Sequence, residues 1–148
     1  MTPPRTWRVA MILSNAFKPH PRLGKEARLL AENGFEVTIF AWDRLAELPS
    51  QQILDGYQVI RLRSALSDYG RGWRQLLYLP RYWLEAVSAI ADLAPDIIHC
   101  ADLDTLPAGW LLARRLGARL VFDAMEHYPA LMSLYLPNSL VWALTALE

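Results

Sequence analysis

Apolar residues run unbroken from Val9 to Leu13 and stop at Ser14 and Asn15. The run is too short for a helix and opens into a proline loop, so it predicts a buried strand at Val9–Ser14. Past Pro19 and Pro21 the period changes. Leu23, Ala27, Leu30 and Ala31 fall on one helical face, with Lys25, Glu26, Arg28 and Glu32 elsewhere. Gly34 then offers the left-handed residue that ends a helix. Glu36–Trp42 (EVTIFAW) predicts a second strand, and the short connection at Gly34 makes a β-α-β unit with a right-handed crossover. Tyr57–Arg63 alternates imperfectly and predicts a third strand.

The stretch Gly70–Ala94 is rich in Trp, Tyr, Leu and Arg, and Trp83, Val87, Ile90 and Ala94 form a stripe at helical spacing, with Pro80 starting or splitting that helix. After Pro95 and Asp96, Ile97–Cys100 predicts a short buried strand. Asp104 or Thr105 is placed to cap the following helix, Pro107 suits its first turn, and Gly117 closes it. Arg119–Phe122 predicts the strand after that. Strands alternating with capped helices of about a dozen residues define an α/β fold with a Rossmann-like, doubly wound parallel sheet, one domain over residues 1–148. Ligands of such sheets sit at the carboxyl ends of strands near the switch in strand order. That selects three loops: after Ser14, after His99, and around Asp123.

A length of 148 residues fits one core. Fifteen basic side chains balance fifteen acidic ones, so no global field favours nucleic acid, and none is expected as a partner. All the basic residues except Lys18 and Lys25 are arginine. The single Cys100 excludes an internal disulfide framework and gives no metal-cluster spacing; a reducing cytoplasm is the expected compartment. Tyr128–Leu147 carries no charge, but Pro129, Pro137 and Asn138 interrupt it and read as a loop and a helix start rather than a span. Leu140, Val141, Leu144 and Leu147 then stripe a helix beginning near Ser139, too short to stand without a packing partner. The expectation is that the natural chain continues past Glu148.

Each loop admits two readings. Asn15–Arg22 (NAFKPHPR) leads into a helix N-terminus, which with Lys18 and Arg22 would favour an anion; it also reads as a proline-stiffened solvated loop. Only Gly24 is present where a dinucleotide fingerprint needs three glycines, and a P-loop is absent as well. In His99–Pro107, His99, Asp102 and Asp104 lie close together and could bind ligand, or His99 could be a core histidine and Asp104 a cap. Asp123, Glu126 and His127 follow the next strand, where carboxylates can hold sugar hydroxyls or position a reacting group. The Arg and aromatic mix at Tyr69–Trp83 suits either a helix core with solvated arginines or a peripheral bilayer contact.

The stretch NAFKPHPRLGKEARLLAENGFEVTIFAWDR resembles the opening of glycosyltransferase family 4 proteins, N-x-F-x-x-D-P-R-V-x-K-E-A followed by G-H-E-V-T-V. Later, DIIHCADLDTLPAGWLLARRLGARLVFDAMEHYP is similar to that family's D-I-I-H-x-H-D-x-x-T-L-P and Y-D-A-H-E. The blocks lie in the same order across nearly the whole chain. The resemblance implies the N-terminal, acceptor-side half of a GT-B architecture. It implies a retaining transfer of a sugar from a nucleotide-diphosphate sugar to a hydroxyl acceptor, lipid-linked or a polysaccharide precursor, with no cofactor or metal. Most of the donor would be held by a C-terminal domain that this chain lacks, so the fragment alone is expected to be inactive. The implied catalytic residues are Asp123 and Glu126; the implied substrate-binding residues are Asn15, Arg22, His99, Asp102, Asp104, Thr105, Met125 and His127. Three positions depart from the pattern: His20 replaces an Asp, Ala101 a His, and Met125 the His that in the family reaches towards the donor sugar. Methionine neither donates a hydrogen bond nor exchanges a proton. Loss of chemistry with a retained binding surface is the alternative that these departures imply.

Overall fold

Both faces of the Val9–Leu13 strand are apolar because both are covered, and the architecture grows from that strand. The computed structural model describes residues 5–18, 20–63, 65–66 and 77–124. The elements run β1 (Arg8–Leu13), α1 (Pro21–Glu32), β2 (Glu36–Trp42), β3 (Gln51–Leu54), β4 (Tyr57–Leu62), α2 (Leu79–Leu93), β5 (Ile97–Ala101), α3 (Leu106–Leu116) and β6 (Arg119–Asp123). One six-stranded sheet has the order β3-β4-β2-β1-β5-β6. Every pairing is parallel except that of β3 with β4. The chain winds outward from β1 to β2 and β4, then returns to the other side of β1 for β5 and β6. The switch in strand order therefore falls between β1 and β5, where a crevice opens at the carboxyl ends.

Two apolar layers follow from the two-residue period of the strands. Val9, Met11 and Leu13 face α1 and pack with Leu23, Ala27, Val37, Ile39 and Val59. Ala10 and Ile12 face the opposite way, towards Tyr82, Ala86 and Ile90 of α2 and Leu112 of α3. On that side Trp42 and Tyr82 stack with centroids 4.8 Å apart and planes 11° from parallel. The Trp42 indole Nε1 donates to Ala65 O at 2.8 Å, so its one polar atom is satisfied in the core.

The expected strands are all present, with ends shifted by a residue or two. The doubly wound, parallel-dominated sheet is the expected one, with one strand added, and two expectations are corrected. Gln51–Leu54 is the added strand, an antiparallel edge that the hydrophobic pattern does not announce. Its turn to β4 is Asp55-Gly56, with φ of 41° and 85°, the two positive values a tight hairpin turn demands. In α2 the buried stripe is Leu79, Tyr82, Ala86 and Ile90; Ile90 is buried as expected, but Tyr82 and Ala86 take the places expected of Trp83 and Val87, because the helix faces both the sheet and α3. Trp83 and Val87 are pushed to the border with α3, and Ala94 is a left-handed cap at φ 46°. Thr105 occupies the N-cap of α3 but makes no side-chain cap bond; its hydroxyl donates to Ala101 O and Asp102 O at 3.0 and 2.9 Å. Gly34 and Gly117 do end their helices with positive φ. Most of the Arg and aromatic segment before α2, the uncharged stretch Tyr128–Leu147 and the helix expected from Ser139 lie outside the described residues. Among the described residues no helix is long and apolar enough to cross a membrane.

Helix α3 lies so close to β5 that Gly109 has no room for a side chain. A Cβ there would stand 2.0 Å from the Sγ of Cys100 and 3.3 Å from Ile98 Cγ2. Cys100 is fully buried and short, so it cannot swing aside. Burial also pushes its thiol up to about 12, which makes it an apolar spacer and not a nucleophile. Gly109→Ala is expected to destabilise the protein by about 1–3 kcal/mol in chemical denaturation. The same change in a Cys100→Ala background should cost much less; equal costs in both backgrounds would show that the Cys100 contact is not the cause.

Candidate functional site

The loop that leaves β1 is held by side chains from three other elements. Its carbonyls point away from any strand, so each needs a donor from elsewhere. Tyr82 of α2 donates its hydroxyl to Leu13 O at 3.1 Å, and Arg44 donates to Ser14 O at 3.0 Å. Arg61 of β4 donates to Ala16 O at 3.0 Å, Phe17 O at 3.4 Å, Pro49 O at 2.9 Å and Gln52 Oε1 at 3.1 Å. Asn15 uses its Oδ1 to accept the Phe17 N–H at 3.0 Å, which steadies Phe17 at a φ of 50°. Asn15 is thus a loop-shaping residue. None of Arg44, Arg61 and Tyr82 was singled out from sequence; an arginine flanked by apolar residues inside a strand was the available signal for Arg61.

The loop delivers the chain to α1, whose N-cap is His20, with Nδ1 accepting the Leu23 N–H at 3.4 Å. The histidine takes over the capping role open to the aspartate that the family pattern has there. Arg22 and Glu26 then lie one turn apart on the side of α1 that faces β5 and β6. Arg22 Nη2 donates to Asp123 Oδ1 at 2.6 Å, and its Nε approaches Glu26 Oε1 at 3.4 Å. His99 projects from the α1 face of β5, with Nε2 3.9 Å from Asp123 Oδ2. That distance is too long for a hydrogen bond, so the ring and the carboxylate are close neighbours without a bond between them. The second Asp123 oxygen is buried and has no hydrogen-bond partner among the described residues. Burial pulls the His99 pKa below the ordinary histidine value against the opposing pull of Glu26 and Asp123, so the ring is neutral at pH 7.

Three of the residues expected from sequence, Arg22, His99 and Asp123, therefore converge with Glu26 on one cluster. Glu26, His99 and Asp123 offer ligand atoms that all lie within 4.8 Å of one another, a set that could hold a divalent cation. The Arg22 guanidinium already lies against both carboxylates, however, and supplies fixed positive charge in that space. The arrangement is a partly compensated anionic cluster with one cation reaching into solvent, suited to hydroxyls on the carboxylates and phosphate on the arginine.

The second loop is built differently. Asp102 takes a left-handed φ of 71°, and its N–H donates to Asp123 O at 3.0 Å, extending the β5–β6 ladder by one bond. Thr105 is fully buried, and its hydroxyl is held by the two backbone carbonyls already described. Asp104 O accepts the Trp83 indole N–H at 2.7 Å, which ties α2 to this loop. The Asp104 carboxyl is pushed up to about 6, first by burial and then by Asp102, against a hydrogen bond from Ser14 and the charge of Arg44. Met125, Glu126 and His127 lie outside the described residues. Ala101 is fully buried and paired with Asp123, so the alanine that replaces the expected histidine stands beside the cluster's main carboxylate.

A Rossmann-like α/β domain with a charged crevice at its switch point is the kind of half from which GT-B glycosyltransferases are built. The chain belongs to the glycosyl transferase 4-like domain family, whose pattern matches residues 19–147. No curated protein sequence matches it. Among solved structures, sucrose-phosphate synthase from Thermosynechococcus elongatus superimposes with a TM-score of 0.67 at 16% identity, covering 81% of this chain and 33% of its own. The calicheamicin glycosyltransferase CalG4 gives 0.56 at 22% identity, over 88% of this chain and 36% of its own. The C-terminal domain of a Pyrococcus furiosus hydrogenase gives 0.60 at 11% identity, over 83% and 96%. The chain thus spans about a third of the two transferase chains. At these identities the likeness is one of fold, and the third neighbour shows that the fold by itself does not choose a reaction.

The Asp104 carboxyl yields a test of this loop. Because folding raises its pKa from 3.8 to about 6, its neutral form is favoured in the native state. The stability this contributes is complete below about pH 4 and is lost as pH rises through 6. Asp104→Asn should therefore stabilise the protein at pH 7 by about 2 kcal/mol and flatten the decline between pH 4 and 6 in denaturant titrations. An unchanged pH profile would show that Asp104 titrates normally.

Proposed function

We propose that this domain is the N-terminal, acceptor-side half of a retaining glycosyltransferase that moves a sugar from a nucleotide-diphosphate donor to a hydroxyl acceptor, lipid-linked or a polysaccharide precursor. The observation that carries the reading is the convergence of Arg22, Glu26, His99 and Asp123 at the switch point, inside the stretch that matches the family. Transfer breaks the bond from the anomeric carbon to the diphosphate, joins that carbon to the acceptor oxygen, and releases the hydroxyl proton. Arg22, half exposed at the start of α1, would meet the charge that grows on the departing diphosphate. The unpartnered Asp123 oxygen would accept a hydroxyl of the sugar or the acceptor. Glu26 keeps Arg22 in place, and neutral His99 leaves Arg22 as the cation of the cluster. Glu126 is the second carboxylate in this reading, with Met125 and His127 beside it. A C-terminal domain would hold most of the donor, no metal or cofactor takes part, and the work is done in the cytoplasm, at the inner face of the membrane for a lipid-linked acceptor.

In the enzyme carrying both domains, Arg22→Ala should lower kcat/KM about 100-fold, equivalent to about 2.7 kcal/mol of transition-state stabilisation, with the circular dichroism spectrum unchanged. Absence of sugar transfer or hydrolysis by the wild-type enzyme across a panel of nucleotide sugars, with the fold intact, would sink the reading. Ala101 and Met125 favour a second one, a domain of this family that binds without transferring. Met125→His separates the two: a rise in turnover of about tenfold or more marks a catalytic site that has lost a group, and no change marks a binding module.

A further inference from the structure

On the far side of the Phe17 loop from the Arg22 cluster, a groove of 690 Å³ opens between α1 and the β3–β4 hairpin. That volume lies within the range of about 300–1,000 Å³ typical of small-molecule sites. Its floor is Tyr57, only 5% exposed, whose ring meets Phe17 edge-on at 6.3 Å. The Tyr57 hydroxyl lines the groove and has no hydrogen-bond partner among the described residues. Although the ring is buried, the hydroxyl oxygen itself reaches solvent in the groove, so it can donate to a ligand there. Gly24 keeps it open, since a Cβ there would stand 3.3 Å from the hydroxyl oxygen.

The rim is cationic. Lys25 lines it and has no ion-pair partner among the described residues. Arg28 stands a turn further along, its Nε only loosely paired with Glu32 at 3.7 Å. His20 uses Nδ1 for its capping bond, which leaves Nε2–H as a donor. Asp55 is the opposing carboxylate. Lys18 is paired with Glu47 at 3.1 Å and the Arg61 guanidinium is bonded to loop carbonyls, so neither is free to follow a ligand. Phe17, Pro21, Leu48 and Leu54 supply an apolar wall. A cationic rim over an apolar wall, with one unmet hydroxyl on the floor, suits an anionic head on an apolar body.

We propose that the groove between α1 and the β3–β4 hairpin binds a phosphomonoester carried on an apolar body, with Lys25, Arg28 and the Tyr57 hydroxyl on the phosphate. On the acceptor-side reading given above, this groove would make the acceptor a phosphorylated molecule. Binding is measured without turnover, so failure of this proposal and failure of the transfer reading are distinguishable. Phenyl phosphate titrated into the isotopically labelled protein should shift the amide resonances of Lys25, Arg28 and Tyr57. Lys25→Glu should weaken binding about tenfold and Tyr57→Phe about fivefold, while Arg22→Ala leaves it within about twofold. Gly24→Leu, whose side chain would meet the Tyr57 hydroxyl and Phe17 and fill the groove, should abolish binding, with circular dichroism checking that the fold is kept. The proposal is overturned by equal affinity for phenol, by no binding at millimolar phenyl phosphate, by shifts that cluster on Arg22 and Asp123, or by affinity insensitive to both Lys25→Glu and Gly24→Leu.

Discussion

The carbonyls at the carboxyl end of β1 govern how the rest of this domain is put together. A central parallel strand that ends at a switch point has no neighbour to continue its ladder, and its following loop runs against the core with polar groups unmet. The protein answers with Tyr82, Arg44 and Arg61, drawn from α2, the end of β2 and β4, each donating to a carbonyl between Leu13 and Phe17. An unpaired buried carbonyl would cost about 1–3 kcal/mol, so these contacts fix the loop to the layers on both sides of the sheet. The path of the loop then decides where α1 begins. The start of α1 in turn decides what Arg22 can reach.

Charge at the crevice is balanced by geometry. Arg22 lies between two carboxylates contributed by a helix and a distant strand end, and His99 sits behind them in a setting dry enough to stay neutral. Removing Arg22 would leave the two carboxylates uncompensated beside a neutral ring, so the arginine holds the cluster together. The fold shared with transferases and with a hydrogenase domain supplies the crevice; these four side chains give it chemical character.

Much of the fold was legible because hydrophobic burial leaves a period in the sequence. Runs such as Ala10–Leu13 and Ile39–Trp42 are apolar at successive positions because both faces of the sheet are covered, and glycines at 34 and 117 mark helix ends that need a positive φ. Strand β3 was missed because an edge strand with Gln51, Gln52 and an 80% exposed Ile53 carries almost no burial signal. Only its Asp55-Gly56 turn spoke for it. Trp83 and Val87 were expected where Tyr82 and Ala86 are buried because a helix with two packing partners has a wide apolar face, and periodicity alone cannot say which flank meets the sheet.

The three loops at the strand ends were identifiable from residue order alone, since a doubly wound sheet places ligand loops there whatever their sequence. Arg22, His99 and Asp123 were visible as motif residues, but their meeting was not: they are separated by 77 and 24 positions, and it takes the parallel pairing of β5 with β6 beside the start of α1 to bring them together. Burial of the loop after β5, against the opposing pull of Ser14 and Arg44 brought close from elsewhere, gave Asp104 its raised pKa, whereas Thr105 found its carbonyls within four residues of itself. Local sequence determined which residues could carry charge or chemistry, because that is a property of side chains and short-range pattern. Their burial, partners and protonation were decided by distant segments of chain, because desolvation and Coulomb interactions depend on distance through space and take no account of distance along the chain.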